Sequence, residues 1–251
     1  MEKVTSISEL NSLILPYFKR GVITNNFLMI NDYNLYLKEQ SLFYEKTENN
    51  LFLIRCVEDI SYVYFYINKF EDIKLPNNSV IEIVEPNNEI IEYFCKLGFV
   101  EVNKREEMQL INQTSDDDEF DFCKTEELEK VRRIIKDNFD RFYGNIPSLD
   151  ELKLENVLVS RDNEDNITGL LHFKTIKSIS SILHIAVIDK NRGNGIGSKI
   201  LSGYINHEKD KCREFRLWVN SDNKKAIDFY KKNGYDFSNR KSVVLVKKGA
   251  M

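Results

Sequence analysis

Proline is scarce in this chain, with four in 251 residues, and glycine reaches only ten. No apolar run approaches the roughly 18 residues that a membrane-crossing helix needs, which argues against an integral membrane protein. The opening MEKVTSISEL turns polar and acidic at once and builds no apolar core of a signal peptide, so the sequence predicts a cytoplasmic chain. The four cysteines, Cys56, Cys95, Cys123 and Cys212, form no C-x-x-C pair and read as reduced, packed thiols. Three scattered histidines give no ligand spacing, so no metal is expected. A dense Lys/Arg stripe interleaved with aromatics is also missing, which argues against a nucleic-acid partner.

The net charge of -4 hides an asymmetry. Residues 1–113 carry 11 basic and 17 acidic side chains, the remainder 25 and 23. The length suits two domains better than one. The acidic stretch Asn112 to Phe122 (NQTSDDDEFDF) is the candidate joint, because its Asp116 to Glu119 run repels itself and has nothing to bury. The expected division is a first domain over 1–112, a linker over 113–119 and a second domain over 120–251.

Within the second region, Leu128, Val131, Ile134 and Ile135 fall at helical spacing, with Thr125 as the expected N-cap. Ser148-Leu149-Asp150-Glu151 has the form of a capping box and predicts a short second helix. NVLVSRD, the turn-rich NEDN and ITGLLHFKTI then predict a hairpin, with Gly169 weakening or bulging its second strand. Ser180 to Ile188 (SSILHIAVI) is almost wholly apolar and β-branched, as a central strand should be. Ile196, Ile200, Leu201, Tyr204 and Ile205 form one face of a helix ending near Glu208; a strand EFRLWVN, a helix KKAIDFYKKNG stopped by Gly234 and a strand SVVLVKK follow. The class is α/β, with a mixed central sheet flanked by helices.

The first region repeats this ending in blurred form. A shift of 136 positions lays Asn87 on Asn223, Glu92 on Asp228, Phe94 on Tyr230, Lys96 on Lys232, Gly98 on Gly234 and Phe99 on Tyr235, and aligns VIEIVEP with RLWVNSD. Two tandem domains of one fold are therefore expected.

The segment NRGNGIGSKI, residues 191–200, places glycine at 193, 195 and 197. A strand that turns directly into a helix leaves the first helical N–H groups unpaired, with the positive end of the helix dipole behind them. Glycines there permit positive φ and close approach, so several N–H groups can converge on a phosphate or pyrophosphate, with Arg192 as a cation at the rim. A Walker loop is disfavoured because Lys199 follows Ser198 instead of preceding a hydroxyl residue. A dinucleotide fold is disfavoured because the turn reads G-x-G-x-G and leaves too little chain downstream.

SILHIAVIDKNRGNGIGSKIL followed by RLWVNSDNKKAIDFYKKNGY resembles the GNAT superfamily of acyl-CoA-dependent N-acyltransferases. The resemblance covers roughly residues 118–248, and the first region looks like a degenerate GNAT half matching only the final strand, helix and strand. It implies two tandem GNAT-like domains, the second an active N-acetyltransferase using acetyl-CoA. Arg192, Gly193, Asn194, Gly195, Ile196, Gly197 and Ser198 would hold the pyrophosphate. Ile185, Ala186 and Val187 would pair their backbone with the pantetheine arm, beside a slot opened by a bulge. Asn223 would cap the next helix or touch the cofactor, and Tyr230 would protonate the departing thiolate.

The positions where the family often places a glutamate base hold Ser181 and Trp218, which leaves a held water, His184 or His172 as alternatives. Acceptor choice is expected in NFDRFYGNIP, where Phe139, Phe142 and Tyr143 would wall an amine and Asp140 attract its charge. The acceptor class is a small-molecule or peptide amine. A rival reading from another class is a non-catalytic CoA-sensing or protein-binding module. The first region has no glycine between Gly21 and Gly98 and carries Phe94 where Tyr230 stands, so it is expected to bind no CoA.

Overall fold

The computed structural model describes residues 1–112 and 120–249. The acidic linker expected over 113–119 lies outside the described residues. The chain divides into two compact units, Met1–Asn103 with Ser242–Met251, and Lys104–Lys241. The division falls inside two strands, so the last residues, expected with the second domain, group with the first unit.

The first unit runs β1 (Glu2–Lys3), α1 (Ile7–Ile14), β2 (Ile23–Thr24), α2 (Ile30–Lys38), β3 (Leu42–Lys46), β4 (Asn50–Val57), β5 (Ile60–Ile67), β6 (Ser79–Val84), α3 (Asn88–Lys96) and the start of β7 (Val100–Leu110). Strands β3, β4 and β5 form an antiparallel meander, after which β6 joins β5 in parallel at Ser61↔Ser79 and Tyr62↔Val80. This unit therefore holds more of the fold than its last strand, helix and strand. Helix α3 starts at Asn87, whose side chain accepts from the Ile90 N–H at 2.9 Å, and its chain reverses through Gly98 at φ +89.

The second unit continues from β7 through β8 (Asp121–Phe122), α4 (Leu128–Asn138), α5 (Leu149–Leu154), β9 (Asn156–Arg161), β10 (Ile167–Ile176), β11 (Ile179–Val187), α6 (Ile196–Glu208), β12 (Glu214–Asn220), α7 (Lys224–Lys232) and the start of β13 (Tyr235–Lys247). Here too an antiparallel meander, β9, β10 and β11, is followed by a parallel partner, β12, and then by a helix that starts at an asparagine and turns through a left-handed glycine, Gly234 at φ +87. The sheet is thus mixed, with helices on both faces. Leu171, Phe173, Ile182 and Leu217 pack under Ile200, Leu201 and Tyr204 of α6 and Tyr230 of α7. Leu170, Val157, Val159 and Ala186 pack under Leu128, Val131 and Ile135 of α4 and Leu152 of α5. Full burial of such side chains stabilises by about 1.5–3 kcal/mol each.

Ser148 caps α5 as its sequence requires: its Oγ accepts from the Glu151 N–H at 3.1 Å, while a Glu151 carboxylate oxygen accepts from the Ser148 N–H at 2.7 Å. The start of α4 differs from expectation. Thr125 opens a 3-10 turn through Glu127 whose cap is Lys124, its N–H donating to the Glu127 carboxylate at 3.0 Å, and α4 follows from Glu127 without a side-chain cap. Gly169 does accompany a register shift in β10, but its other effect is on packing. A Cβ there would meet Ile196 and Ile200 at 3.0 Å, so the missing side chain lets α6 lie close on the sheet.

Candidate active site

Strands β11 and β12 pair in parallel only from Ile179↔Glu214 to Ile182↔Leu217. On the other edge of β11, His172 faces His184 but Phe173 faces Ile182, so Leu183 is an extra residue, a β-bulge. The bulge shifts the side-chain alternation. Ile182 and Ile185, three positions apart, both meet the core beneath α6, whereas Ala186 joins the core beneath α4. Beyond the bulge, β11 bends away from β12, while Ile185, Ala186 and Val187 remain paired to β10 through Leu171, Leu170 and Gly169. Their opposite backbone edge has no ladder partner among the described residues. This is a slot between two strands, lined on one side by a backbone edge that no strand pairs with.

The chain leaves this slot through a 3-10 turn over Asp189–Asn191 and reaches α6 through Arg192, Gly193, Asn194 and Gly195. Gly193 and Gly195 have φ of +83 and +74, the left-handed region in which a Cβ costs about 1–2 kcal/mol. Nothing lies within 4 Å of where either Cβ would stand, so conformation and not crowding requires glycine here. Gly195 is the N-cap of α6 and supplies no side-chain acceptor, and the first turn holds no acidic residue. The leading N–H groups, at Ile196, Gly197 and Ser198, and the dipole behind them are left for a ligand. Residues 192–195 are exposed. Gly197 has a different reason: its Cβ would stand 3.3 Å from the Phe229 ring.

Arg192 is less free than a rim cation. Its guanidinium contacts the Val187 carbonyl at 3.1 Å, Asn138 Oδ1 at 3.0 Å and Asp189 at 2.8 Å, which clamps the turn to the end of β11 and to α4. Asn223 is seen in its capping role, accepting from the Ala226 N–H at 3.1 Å. Tyr230 is buried on α7 between Phe229 and Tyr235, and its hydroxyl has no hydrogen-bond partner among the described residues. Burial raises its pKa above the ordinary 10.0, so the phenol keeps its proton at neutral pH.

The acceptor-loop residues lie together. Phe139 sets its ring edge against His184, 4.7 Å between centroids. Asp140 accepts from the N–H groups of Phe142 and Tyr143 at 2.8 and 3.3 Å, so its carboxylate shapes the loop. Arg141 lies over the Phe142 ring at 4.9 Å, and Arg105 of β7 donates to the Tyr143 carbonyl.

Of the alternative bases, His184 is fully engaged. Nε2 meets the Gly144 carbonyl at 2.7 Å and Nδ1 meets His172 Nδ1 at 3.0 Å. Burial, followed by the neighbouring His172, lowers its pKa to about 3. His172 is engaged as well, with Nε2 at 2.7 Å from Glu155. Sequence reasoning did not connect these three residues, although a histidine at mid-strand in each of two successive expected strands was a usable signal. Glu107 of β7 was also missed. It is the cross-strand neighbour of Trp218 and is buried against Arg240 at 2.9 Å and Ser238 at 2.7 Å. Among the described residues no group of His, Cys, Asp or Glu is placed to hold a metal, and no helix is long and apolar enough to cross a membrane.

Residues 153–236 match the acetyltransferase (GNAT) domain family. A curated relative, a probable serine/threonine-protein kinase of Dictyostelium discoideum, is 23% identical over 201 residues. That match takes in 71% of this chain, which spans 22% of the relative's length. An acetyltransferase from the GNAT family of Colwellia psychrerythraea has a similar fold, at TM-score 0.57 and 13% identity over 99% of both chains. A Drosophila protein is similar over 96% of both chains, at TM-score 0.58 and 13% identity. The match to the GNAT acetyltransferase domain thus falls wholly within the second unit.

Proposed function

We propose that the second unit transfers an acetyl group from acetyl-CoA to the amine of a small molecule or peptide, by direct attack on the thioester. The observation that carries this reading is a coincidence of three features within fifteen residues of chain. The Leu183 bulge, the end of the β11–β12 ladder at Ile182 and the uncapped N-terminus of α6 follow one another. The unpaired edge of Ile185 to Val187 suits the amide groups of a pantetheine arm. Gly193, Asn194, Gly195, Ile196, Gly197 and Ser198 suit a diphosphate, with Arg192 holding the turn in shape. Backbone N–H groups at the bulge polarise the thioester carbonyl as negative charge develops on it. Tyr230 donates its proton to the leaving thiolate.

No carboxylate stands at Ser181 or Trp218, and both histidines are engaged. The acceptor therefore arrives as the free amine or loses its proton to water. That same lack of a base favours the rival reading, a sensor that binds CoA without turnover.

The two units arise from one ancestral fold repeated in tandem. The shared meander, parallel strand, asparagine-capped helix and glycine turn support this. In the first unit the equivalent slot is filled by the chain itself. Past Tyr62 and Val80, β2 pairs with β5 at Ile23↔Ile67 and Thr24↔Tyr66. The Asn25 amide donates to the Val63 and Glu82 carbonyls, both at 3.1 Å, and accepts from the Phe65 N–H at 2.8 Å. An extended, amide-bearing segment thus occupies the first slot, so the first unit takes no CoA. The second slot offers the same kind of edge to a cofactor.

Thermal shift with acetyl-CoA, followed by thiol release against a panel of amines, tests the proposal. Stabilisation with turnover supports it. Stabilisation without turnover on any amine supports the sensor, and no stabilisation at millimolar acetyl-CoA overturns both.

A further inference from the structure

Glu155, at the C-cap of α5, His172 of β10 and His184 of β11 form one unbroken chain that ends on the backbone of the loop between α4 and α5. Its links are Glu155 to His172 Nε2 at 2.7 Å, His172 Nδ1 to His184 Nδ1 at 3.0 Å, and His184 Nε2 to the Gly144 carbonyl at 2.7 Å. Both histidines are almost fully buried, with exposures of 1% and 3%. The rings are parallel with centroids 5.3 Å apart. Combined with the short Nδ1–Nδ1 distance, this sets them edge to edge, with N–H and lone pair in line.

Valence then assigns the protons. A carbonyl only accepts, so His184 Nε2 carries hydrogen. His184 is neutral, so its Nδ1 is a lone pair, and the His172 Nδ1–H donates to it. One further proton must lie between His172 Nε2 and Glu155. Remove it, and either that contact sets a lone pair against a carboxylate, or His172 switches tautomer and places a lone pair against the lone pair of His184. In the second case His184 keeps its contact only by giving up its bond to Gly144. Add a second proton at His184 Nδ1, and two N–H groups collide. With His184 held neutral by its burial, the chain is consistent only with a proton shared between His172 Nε2 and Glu155; a charged His184 would instead turn His172 to its Nε2–H tautomer.

Resting on the acetyltransferase reading above, we infer that Glu155, His172 and His184 are positioning residues: a buried one-proton relay that holds the acceptor loop, 139–147, beside the point where β11 leaves β12. His184 follows the Leu183 bulge directly, and Phe139 and Gly144 of the loop both rest on it. The loop has little freedom to move elsewhere. Gly144 donates its N–H to the Asp140 carbonyl at 2.7 Å, and a Cβ on Gly144 would stand 2.3 Å from that oxygen. The charged groups acting on the relay are Lys174 of β10, 3.4 Å from Glu155, and Arg105 of β7, whose charge disfavours protonation of His184. A relay of this kind sets where the amine stands without touching it.

The test follows hydrogen exchange of the loop amides in the full chain, together with imidazole nitrogen NMR and acetyl-CoA affinity. Wild type should show His184 as a neutral Nε2–H ring at pH 7. Glu155→Ala should raise exchange over 139–147 at least fivefold. Glu155→Gln, whose amide can donate to His172 Nε2 in place of the shared proton, should stay within twofold of wild type. His184→Phe should raise loop exchange at least tenfold and leave acetyl-CoA affinity within threefold. A His184 ring protonated at Nδ1, loop exchange unaltered by Glu155→Ala, or Glu155→Gln as damaging as Glu155→Ala would each overturn the relay. Failure of wild type to bind acetyl-CoA would overturn the functional reading, and the exchange and NMR results would still decide the relay.

Discussion

Ile182 and Leu217 are the last paired residues between β11 and β12, and Leu183, the next residue of β11, is the bulge. An extra residue on one strand increases its local twist and bend, which turns the following backbone away from its neighbour. The slot is therefore a consequence of one inserted residue. The edge exposed by that residue leads, within a few residues, to a helix start without a cap.

Replacing Gly193 and Gly195 together by alanine leaves the surroundings uncrowded but strains two left-handed residues, at about 1–2 kcal/mol each. The turn relaxes to another conformation and its N–H groups diverge. Calorimetry should show acetyl-CoA binding at least tenfold weaker, with a folded protein by circular dichroism. Unchanged affinity would remove the phosphate role of the turn.

Tyr230→Phe removes a hydroxyl that makes no hydrogen bond among the described residues, so its cost to stability should be small. Turnover should fall by about 10²–10⁴ with acetyl-CoA affinity kept within twofold. Because burial holds the phenol above its ordinary pKa, the wild-type rate should not decline through loss of this proton at or below pH 10. A wild-type-like rate in the variant would exclude Tyr230 as the acid.

Gly169→Val acts at a distance from the turn. A Cβ at 3.0 Å from both Ile196 and Ile200 pushes the first turns of α6 off the sheet, and overpacking of this kind costs about 1–3 kcal/mol. Melting temperature and acetyl-CoA affinity should fall together. Loss of stability with full affinity would show that the sheet does not place the helix start.

Arg161 and Glu127 form a two-pronged ion pair, both contacts at 2.7 Å, which ties β9 to the start of α4. The guanidinium lowers the Glu127 pKa from 4.5 to about 2. A carboxylate whose pKa is depressed in the folded state stabilises above its unfolded value and loses that contribution as pH falls. Arg161→Ala should therefore lower the melting temperature at pH 7 and converge on wild type between pH 4.5 and about 2. A constant difference across that range would contradict the linkage.

The hairpin of β9 and β10, the central strand β11, the capping box at Ser148 and the helix stop at Gly234 are all legible in the sequence. The glycine turn is legible as well. Thr125 does not cap this segment because the residue three positions on is Leu128, whereas Lys124 stands three before Glu127, whose carboxylate reaches back to it. The sequence points Arg192 at the ligand, whereas the folded chain also gives it Asn138 and Val187 to hold.

Local signals carried the first kind of information. Positive φ, helical spacing and capping are settled within a few residues, so the amino-acid order alone determines that a strand ends in an open, glycine-rich helix start. The remaining features join positions far apart in the chain. Asn25 closes the first slot through Val63 and Glu82, His172 meets His184 only after the hairpin sets its register, and Glu155 reaches them from another helix. Such contacts depend on strand register and on which helix covers which face. Those choices are made by packing over the whole core, and no short stretch of sequence encodes them.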